Sequence, residues 1–320
     1  MRDQLVRVAH AANTFALPSY ADGIEAIARE FAAHGTDEVI RESRECLEYV
    51  LHERAGSNTK EFSNGNLKRD CDAHGCVLDS RMTDEGLALR LRGADAPATA
   101  YGMRLADFVL HSFSVIAGLF PPEVLALRLY TTAAFRSLNT PLRDQSATRP
   151  PHPFPITINY IKSGIGKLRA VEASQGDKGT LDLWRGMKNL AATHAFKKDG
   201  GTELAPMSTT TDLAIAVKYA ASPASLLLKI KTKSFMQRGA PPLNRALVVT
   251  HSTSRVLKCS RPDGLQRPLT GADLTYLSAF PGEAELLYPP LTYLRPTGVD
   301  MAFEAQGTCF TVVEVEPFAA

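Results

Sequence analysis

The hydrophobic pattern of this chain changes once, near Gly179. Before that point, apolar residues recur every three or four positions, which is typical of amphipathic helices. After it, short apolar runs alternate with Pro, Gly, Asp and Asn, which is typical of strands joined by turns. Because a run of helices followed by a run of strands packs as segregated layers, we predict an α+β fold with a mainly antiparallel strand region.

The periodicity also predicts individual elements. The predicted helices lie within residues 20–54 (two helices), 101–119, 121–135, 156–171, 187–197 and 212–221. The predicted strands lie at residues 181–185, 203–209, 225–231, 274–279, 285–291 and 309–315. Buried faces are predicted for Ile24, Ile27, Ala28 and Phe31 in the first helix, and for Leu105, Phe108, Val109, Phe113 and Ile116 in helix 101–119. The polar segment 55–80 is predicted to be a loop.

Composition narrows the function classes. The chain has 320 residues and a formal net charge of +2, which gives no signal for binding nucleic acid or an anionic membrane. The start carries no apolar segment typical of a secretory signal, and the longest apolar run, near residues 115–120, is too short to span a bilayer. Five irregularly spaced cysteines suggest reduced thiols and a cytoplasmic location. Cys71, His74 and Cys76 form at most half of a metal site, so we predict no bound metal.

Two carboxylates, Glu283 and Glu285, stand at the start of an apolar run that ends before Pro289. Residues i and i+2 of a strand point to the same face, so the pattern predicts that both side chains project into one site. Like charges this close are costly on a purely structural face, although such a pair alone is also typical of a solvated strand edge. Two stretches earlier in the chain favour the functional interpretation.

The first of these stretches is Arg185-Gly186, at the end of a predicted strand. Arginine presents a planar, permanently charged fork that binds phosphate oxygens bidentately, and glycine lets the backbone approach a ligand closely. The alternative interpretation is an ordinary surface arginine. Trp184 alternates to the opposite face of the strand and is predicted to lie in the core.

The second stretch is Ser208-Thr209-Thr210, after which a helix is predicted from Asp212. Ser208 and Thr210 share a strand face, and their hydroxyls can donate hydrogen bonds to a carboxylate. Ser, Thr and Asp are also the residues that a helix N-terminus prefers, so a plain helix cap is the alternative. We expect Thr211 or Asp212 to cap the helix and Ser208 to face the site.

The order Arg185-Gly186, Ser208-Thr209-Thr210 and Glu283-x-Glu285 resembles the R-S-E class of mono-ADP-ribosyltransferases, the arginine-modifying class that includes many toxins and the vertebrate ecto-enzymes. The segment 129–139 is similar to the helical segment before the strand core of that family, and the resemblance covers roughly residues 100–317. It implies a core of two packed, mainly antiparallel sheets, with NAD as co-substrate. It implies a cofactor-binding set of Arg185, Gly186, Ser208, Thr209 and Thr210, and a catalytic set of Arg185, Ser208, Glu283 and Glu285.

The resemblance also implies a role for each carboxylate. Breaking the bond between nicotinamide and ribose builds positive charge on the sugar, as in glycoside hydrolysis, and we expect Glu285 to face that charge. Ser208 would hold this carboxylate and shape the nicotinamide pocket. Glu283 would serve the acceptor, because a guanidinium stays protonated until a carboxylate binds it and helps remove a proton. In the family, a Glu at this first position goes with arginine specificity.

We divide the chain into a helical N-terminal region, residues 1–97, and an ADP-ribosyltransferase-like catalytic domain, residues 98–320. Residues 241–272 are basic and Pro-rich, and they separate two segments that would otherwise be nearly contiguous, so we interpret them as an insertion. Three explanations stay open for it. It is a tolerated surface loop, a partner-binding loop or an error in the gene model.

Three functions are compatible with these patterns. The resemblance implies transfer of ADP-ribose from NAD to an exposed arginine of a protein acceptor, with release of nicotinamide. One alternative is an NAD glycohydrolase, which uses water as the acceptor. The other is a catalytically inactive module that binds NAD or protein. We expect neither a nucleic-acid partner nor a membrane span, and the sequence leaves the oligomeric state open.

Overall fold

The computed structural model describes residues 20–33, 44, 46, 47, 50, 51, 105–146, 148, 150–174, 181–232, 270–279, 283–305 and 307–319. Its helices are α1 (Tyr20–Ala33), α2 (Leu105–Leu110), α3 (Ser112–Ala117), α4 (Pro121–Tyr130), α5 (Phe135–Arg143), α6 (Pro155–Ser174), α7 (His194–Asp199) and α8 (Leu213–Ala220). Its strands are β1 (Leu181–Lys188), β2 (Gly201–Glu203), β3 (Met207–Thr210), β4 (Ser225–Thr232), β5 (Ala272–Asp273), β6 (Glu285–Tyr288), β7 (Thr292–Ala305) and β8 (Thr308–Ala319).

The described strands form one sheet of eight strands in the order β2-β7-β8-β4-β1-β3-β6-β5. All neighbours are antiparallel except β4 and β8, so the predicted α+β class with a mainly antiparallel sheet is confirmed. The two packed sheets that the resemblance implied stay a prediction. β1 and β3 are joined by a single residue pair, Trp184 with Thr210, and this pair unites a five-strand part and a three-strand part.

A helical layer covers the β5–β6 end of the sheet. α4 is buried from Pro122 to Tyr130, because its apolar residues cover almost every face of the helix. Leu277 and Leu287, from the segment around β5 and β6, belong to the same hydrophobic core. This packing holds β6, which begins at Glu285, against the helical layer.

Helix α1 shares that core. Ile27 and Phe31 are fully buried, as predicted, and the Phe31 ring lies 4.5 Å from the Phe154 ring. The buried carboxylate of Glu30 accepts hydrogen bonds from the backbone nitrogens of Ile156, at 2.6 Å, and Thr157, at 2.9 Å. Both nitrogens lie in the first turn of α6, where a helix leaves N–H groups without internal partners. α1 therefore caps α6 and packs against it.

Some element predictions were wrong. The predicted helix 101–119 is two short helices, because His111 takes an extended conformation between them and its side chain caps α3. Its predicted buried face holds for Phe108, whereas Phe113 and Ile116 are 48% and 60% exposed.

The strand region shows the same kind of error. Residues 274–279 form a turn rather than the predicted strand, and β1 continues to Lys188 where a helix was predicted. β7 was missed, because Pro296 and Gly298 are typical of turns, whereas the structure places a strand irregularity between Pro296 and Asp300. A β-bulge tolerates these residues within a long strand.

Several predictions fall outside the described residues. These are the loop 55–80, the half metal site at 71–76, the boundary between residues 97 and 98, and positions 241–269 of the predicted insertion. The end of that insertion is described: Ala272 begins β5 and pairs with Leu287 of β6. No described helix is long and apolar enough to cross a membrane. Within the described part, no group of three or more His, Cys, Asp or Glu residues could hold a metal ion.

Gly186 sets how closely α8 packs on β1. A Cβ atom at this position would lie 2.0 Å from the Ala216 carbonyl oxygen and 2.9 Å from the Ala220 backbone nitrogen. Both contacts are with helix backbone, which cannot move aside as a flexible side chain can. A residue without a Cβ is therefore required here by the helix, on the side of β1 that also carries Trp184.

Replacing Gly186 with Ala is expected to lower the free energy of unfolding by roughly 2–3 kcal/mol, because α8 must shift away from β1. Gly166→Ala is the matched control, since nothing lies within 4 Å of its Cβ position in the exposed face of α6. That change should raise the free energy of unfolding by about 0.5–1 kcal/mol through helix propensity. Urea denaturation measures both, and equal effects of the two substitutions would contradict the packing role of Gly186.

Candidate active site

The junction between the two parts of the sheet brings Arg185, Ser208 and Glu285 together. In β3 and β6, Thr210 pairs with Glu285 and Ser208 pairs with Leu287. Across the junction, the Arg185 guanidinium donates from Nη1 to the Ser208 carbonyl oxygen at 2.8 Å. Three residues that are far apart in the chain are therefore neighbours, because β3 lies between β1 and β6.

Arg185 also takes part in a charge cluster that the sequence did not indicate. Its Nη2 lies 3.5 Å from Oε2 of Glu203, at the end of β2. The same carboxylate accepts a bidentate pair of hydrogen bonds from Arg143, at 3.0 and 3.1 Å. One carboxylate thus holds two guanidinium groups, and the planar fork of Arg143 fixes its orientation. The three residues come from α5, β1 and β2, so no sequence spacing relates them.

This cluster borders an open cavity of about 450 Å³. The volume lies in the range of small-molecule sites, roughly 300–1,000 Å³. The cavity is lined by Arg143, Gln145, Arg185, Met187, Lys188, Leu190, Thr202, Glu203 and Leu204. Three of these side chains are cationic and one is a carboxylate, which leaves a formal excess of two positive charges (three minus one). Arg185 links this cavity to Glu285, which does not itself line it.

Glu285 is a buried carboxyl, 7% exposed, at the first position of β6. Burial is the main reason that the pKa of Glu285 is raised to about 7, and the nearby charge of Glu283 raises it further. Hydrogen bonding by the Ser208 side chain and the charge of Arg185 act in the opposite direction. A carboxyl that titrates near neutral pH beside a guanidinium is typical of functional sites.

Glu283 lies near Glu285, but not on the same strand face as predicted. It precedes β6 in a short helical turn, and Ala284 has a positive φ of 46°. The alternation of side chains along a strand therefore does not relate the two glutamates. The Glu283 carbonyl accepts a hydrogen bond from Thr210 Oγ1 at 2.7 Å, and its carboxylate Oε1 accepts one from the Tyr219 hydroxyl at 2.8 Å.

The side chains of the Ser208–Asp212 stretch bond to two different elements, strand β6 and helix α8. Thr209 Oγ1 donates to the Leu286 carbonyl at 2.8 Å, so Thr209, like Thr210, fixes the segment that carries the glutamates. Asp212 Oδ1 accepts from the Ala214 nitrogen at 2.8 Å, which confirms Asp212 as the cap of α8. Direct contact of either threonine with a nucleotide stays a prediction.

One further residue, Tyr130, lies within electrostatic reach of Glu285, and Asn139 bonds to Tyr130. The buried Tyr130 hydroxyl donates to the Pro206 carbonyl at 2.8 Å and accepts from Asn139 Nδ2 at 3.1 Å. Burial, and then the charge of Glu285, raise the pKa of Tyr130 above its usual range. Both residues fall within the segment 129–139, whose resemblance to the family could have indicated them, but the sequence predicted no role for either.

Comparisons with known proteins find structural likeness only. No family model matches the chain, and no curated protein matches it. The ADP-ribosyltransferase HopU1 of Pseudomonas syringae pv. tomato DC3000 is 18% identical over 72% of this chain and 93% of that chain, with a TM-score of 0.43. The Vis toxin, an ADP-ribosyltransferase from Vibrio splendidus, is 18% identical over 66% of this chain and 81% of that chain, with a TM-score of 0.39.

The type III effector XopAI from Xanthomonas axonopodis pv. citri is 11% identical over 88% of this chain and 94% of that chain, with a TM-score of 0.39. Likenesses this distant do not decide a function. The functional argument below therefore rests on the sequence motifs and on the geometry of the site.

The raised pKa of Glu285 predicts an effect on stability. Between the ordinary carboxyl value of 4.5 and about 7, the folded protein keeps a proton that the unfolded chain releases, so stability falls as pH rises. Glu285→Gln removes this penalty and should raise the free energy of unfolding by about 1–3 kcal/mol at pH 8, with little gain at pH 5. Chemical denaturation at both pH values measures the difference. An equal effect at both would contradict a buried, titrating carboxyl.

Proposed function

We propose that this chain transfers ADP-ribose from NAD to the guanidinium group of a protein arginine and releases nicotinamide. One observation carries the proposal. The buried carboxyl of Glu285 lies within electrostatic reach of Arg185 and within hydrogen-bonding reach of the Ser208 side chain, and Arg185 borders a cationic cavity. The resemblance of the Arg-Ser-Glu order to arginine-modifying transferases supports it from the sequence.

The cavity suits the diphosphate of NAD. Arg143, Arg185 and Lys188 surround it, and a single carboxylate offsets part of their charge. Guanidinium forks bind phosphate oxygens bidentately, so Arg185 can hold the diphosphate while its position at the junction keeps the adjoining ribose near Glu285. Met187, Leu190 and Leu204 add apolar walls that can contact a ring or a sugar face.

The chemical step needs little from the protein beyond a placed negative charge. When the bond between nicotinamide and ribose C1′ breaks, nicotinamide takes the electron pair and leaves as a neutral base, so no general acid is required. Positive charge develops on the ribose, and the Glu285 carboxylate stabilises it. A preorganised charge of this kind is typically worth ~100-fold or more in rate. Ser208 holds the carboxylate in the required orientation.

The acceptor step completes the transfer. A guanidinium nitrogen of the acceptor forms a bond to ribose C1′ and loses one proton. Glu283 lies beside Glu285, and its carboxylate can bind the guanidinium and help remove that proton. The products are an ADP-ribosylated arginine, nicotinamide and a proton. Glu283 is the feature that favours arginine over water as acceptor.

The pH dependence of nicotinamide release follows from Glu285. Because the catalytic form is the carboxylate, kcat/KM for NAD should rise with pH up to about 7 and then level. Glu283 raises the pKa of Glu285, so Glu283→Gln should move this inflection to lower pH. Steady-state assays between pH 5 and 9 measure both curves. An inflection that moves upward in the variant would contradict the proposed coupling.

Substitution of each glutamate should separate the two roles. Glu285→Gln is expected to lower nicotinamide release by ~100-fold or more. Glu283→Gln should lower incorporation of labelled ADP-ribose into protein by about tenfold or more while nicotinamide release continues. Glu304→Gln, an exposed glutamate of β7, is the matched control and should leave both reactions as they are.

The outcomes distinguish the alternatives. Equal loss of labelling and of nicotinamide release in Glu283→Gln would refute the division of roles. Nicotinamide release by the wild-type chain without protein labelling would favour an NAD glycohydrolase. Neither reaction, with NAD still bound in calorimetry, would favour a catalytically inactive binding module.

A further inference from the structure

Tyr219 occupies the last turn of α8 and contacts the acceptor-side carboxylate. Its hydroxyl donates to Oε1 of Glu283 at 2.8 Å, and its side chain is 41% exposed. A hydrogen bond from a hydroxyl to an ionised oxygen is among the stronger kinds in proteins. A partly exposed tyrosine in this position therefore restricts the direction in which Glu283 can present its carboxylate.

Contacts at both ends of α8 fix the position of this helix and therefore of Tyr219. Asp212 caps the start of the helix, and Gly186 lets the backbone of its last turns lie directly on β1. The same β3–α8 unit supplies Ser208, whose side chain interacts with Glu285. The segment from Ser208 to Tyr219 therefore contacts both glutamates. Ser208, at its start, interacts with Glu285, and Tyr219, at its end, bonds to Glu283.

The backbone of Glu283 is held as well. Thr210 Oγ1 donates to its carbonyl oxygen at 2.7 Å, and the next residue, Ala284, takes a positive φ of 46°. Such a conformation is uncommon for a residue with a side chain and persists only where its surroundings enforce it. With the backbone fixed, the side-chain torsions of Glu283 decide where the carboxylate points, and Tyr219 acts on those torsions.

We infer that Tyr219 is a positioning residue that orients Glu283 toward a guanidinium acceptor and so sets the division of ADP-ribose between that acceptor and water. This inference rests on the proposed function. It assigns Tyr219 a part in acceptor use, because its hydroxyl bonds to the acceptor-side carboxylate of Glu283. The effect of losing its hydroxyl should therefore appear in acceptor kinetics.

The test uses the full chain carrying Tyr219→Phe, which removes one hydroxyl from a partly exposed side chain. The KM for agmatine, a small guanidinium compound, should rise about tenfold, whereas kcat/KM for nicotinamide release without agmatine should change by less than about threefold. Tyr293→Phe is the matched control, because its hydroxyl donates to the Asp199 carbonyl at 2.6 Å, outside the site. That variant should behave as the wild type does in both assays.

A double variant separates positioning from a general structural effect. Tyr219→Phe in the Glu283→Gln background should add no further loss, because Tyr219 acts through that carboxylate. Fully additive losses, equal losses in the two reactions, or an unchanged KM for agmatine would each overturn the inference while the proposed function stands. Absence of nicotinamide release by the wild-type chain would overturn the proposed function and this inference with it.

Discussion

The site depends on one narrow junction in the sheet. Along this line β1 and β3 share one residue pair, Trp184 with Thr210, and a side-chain hydrogen bond from Arg185 to the Ser208 carbonyl. Met207 and Tyr288 of the three-strand part also pack in one hydrophobic core with Leu183 of the five-strand part. Arg185 and Ser208 meet at this line, and Thr210 pairs with Glu285 next to it. The cavity beside this line is bordered by Arg185 and Met187 of β1 and by Thr202 and Glu203 of β2.

Charge is arranged asymmetrically around the junction. On the cavity side, Glu203 neutralises only part of the charge of Arg143 and Arg185. On the β6 side, burial raises the pKa of Glu285 to about 7. Burial of this carboxyl opposes folding, whereas an apolar residue there would favour it. A loss of stability at one buried group is a common cost of a functional site.

The sequence predicted the parts of the molecule that depend on local chemistry. The α+β order, the face of α1 and the cap at Asp212 follow from periodicity and capping rules. The predicted neighbours Arg185, Ser208 and Glu285 do lie together, although their catalytic roles remain proposals. Contacts between residues far apart in the chain could not be predicted from the sequence. Glu203 bridges guanidinium groups from two other elements, and Ala284 turns the chain before β6, so alternation along a strand could not describe the approach of Glu283.

The strand order has a consequence for how the chain folds. β8 lies between β7 and β4, well inside the sheet, yet it follows every other described strand in the sequence. Until β8 has been synthesised, β4 presents an open edge that can pair with other chains. Long-range pairing of this kind is slow, so the sheet is exposed to aggregation during synthesis and its completion is a late event. The five-strand part of the sheet, which includes β1 and Arg185, is therefore complete only once β8 has paired with β4 and β7.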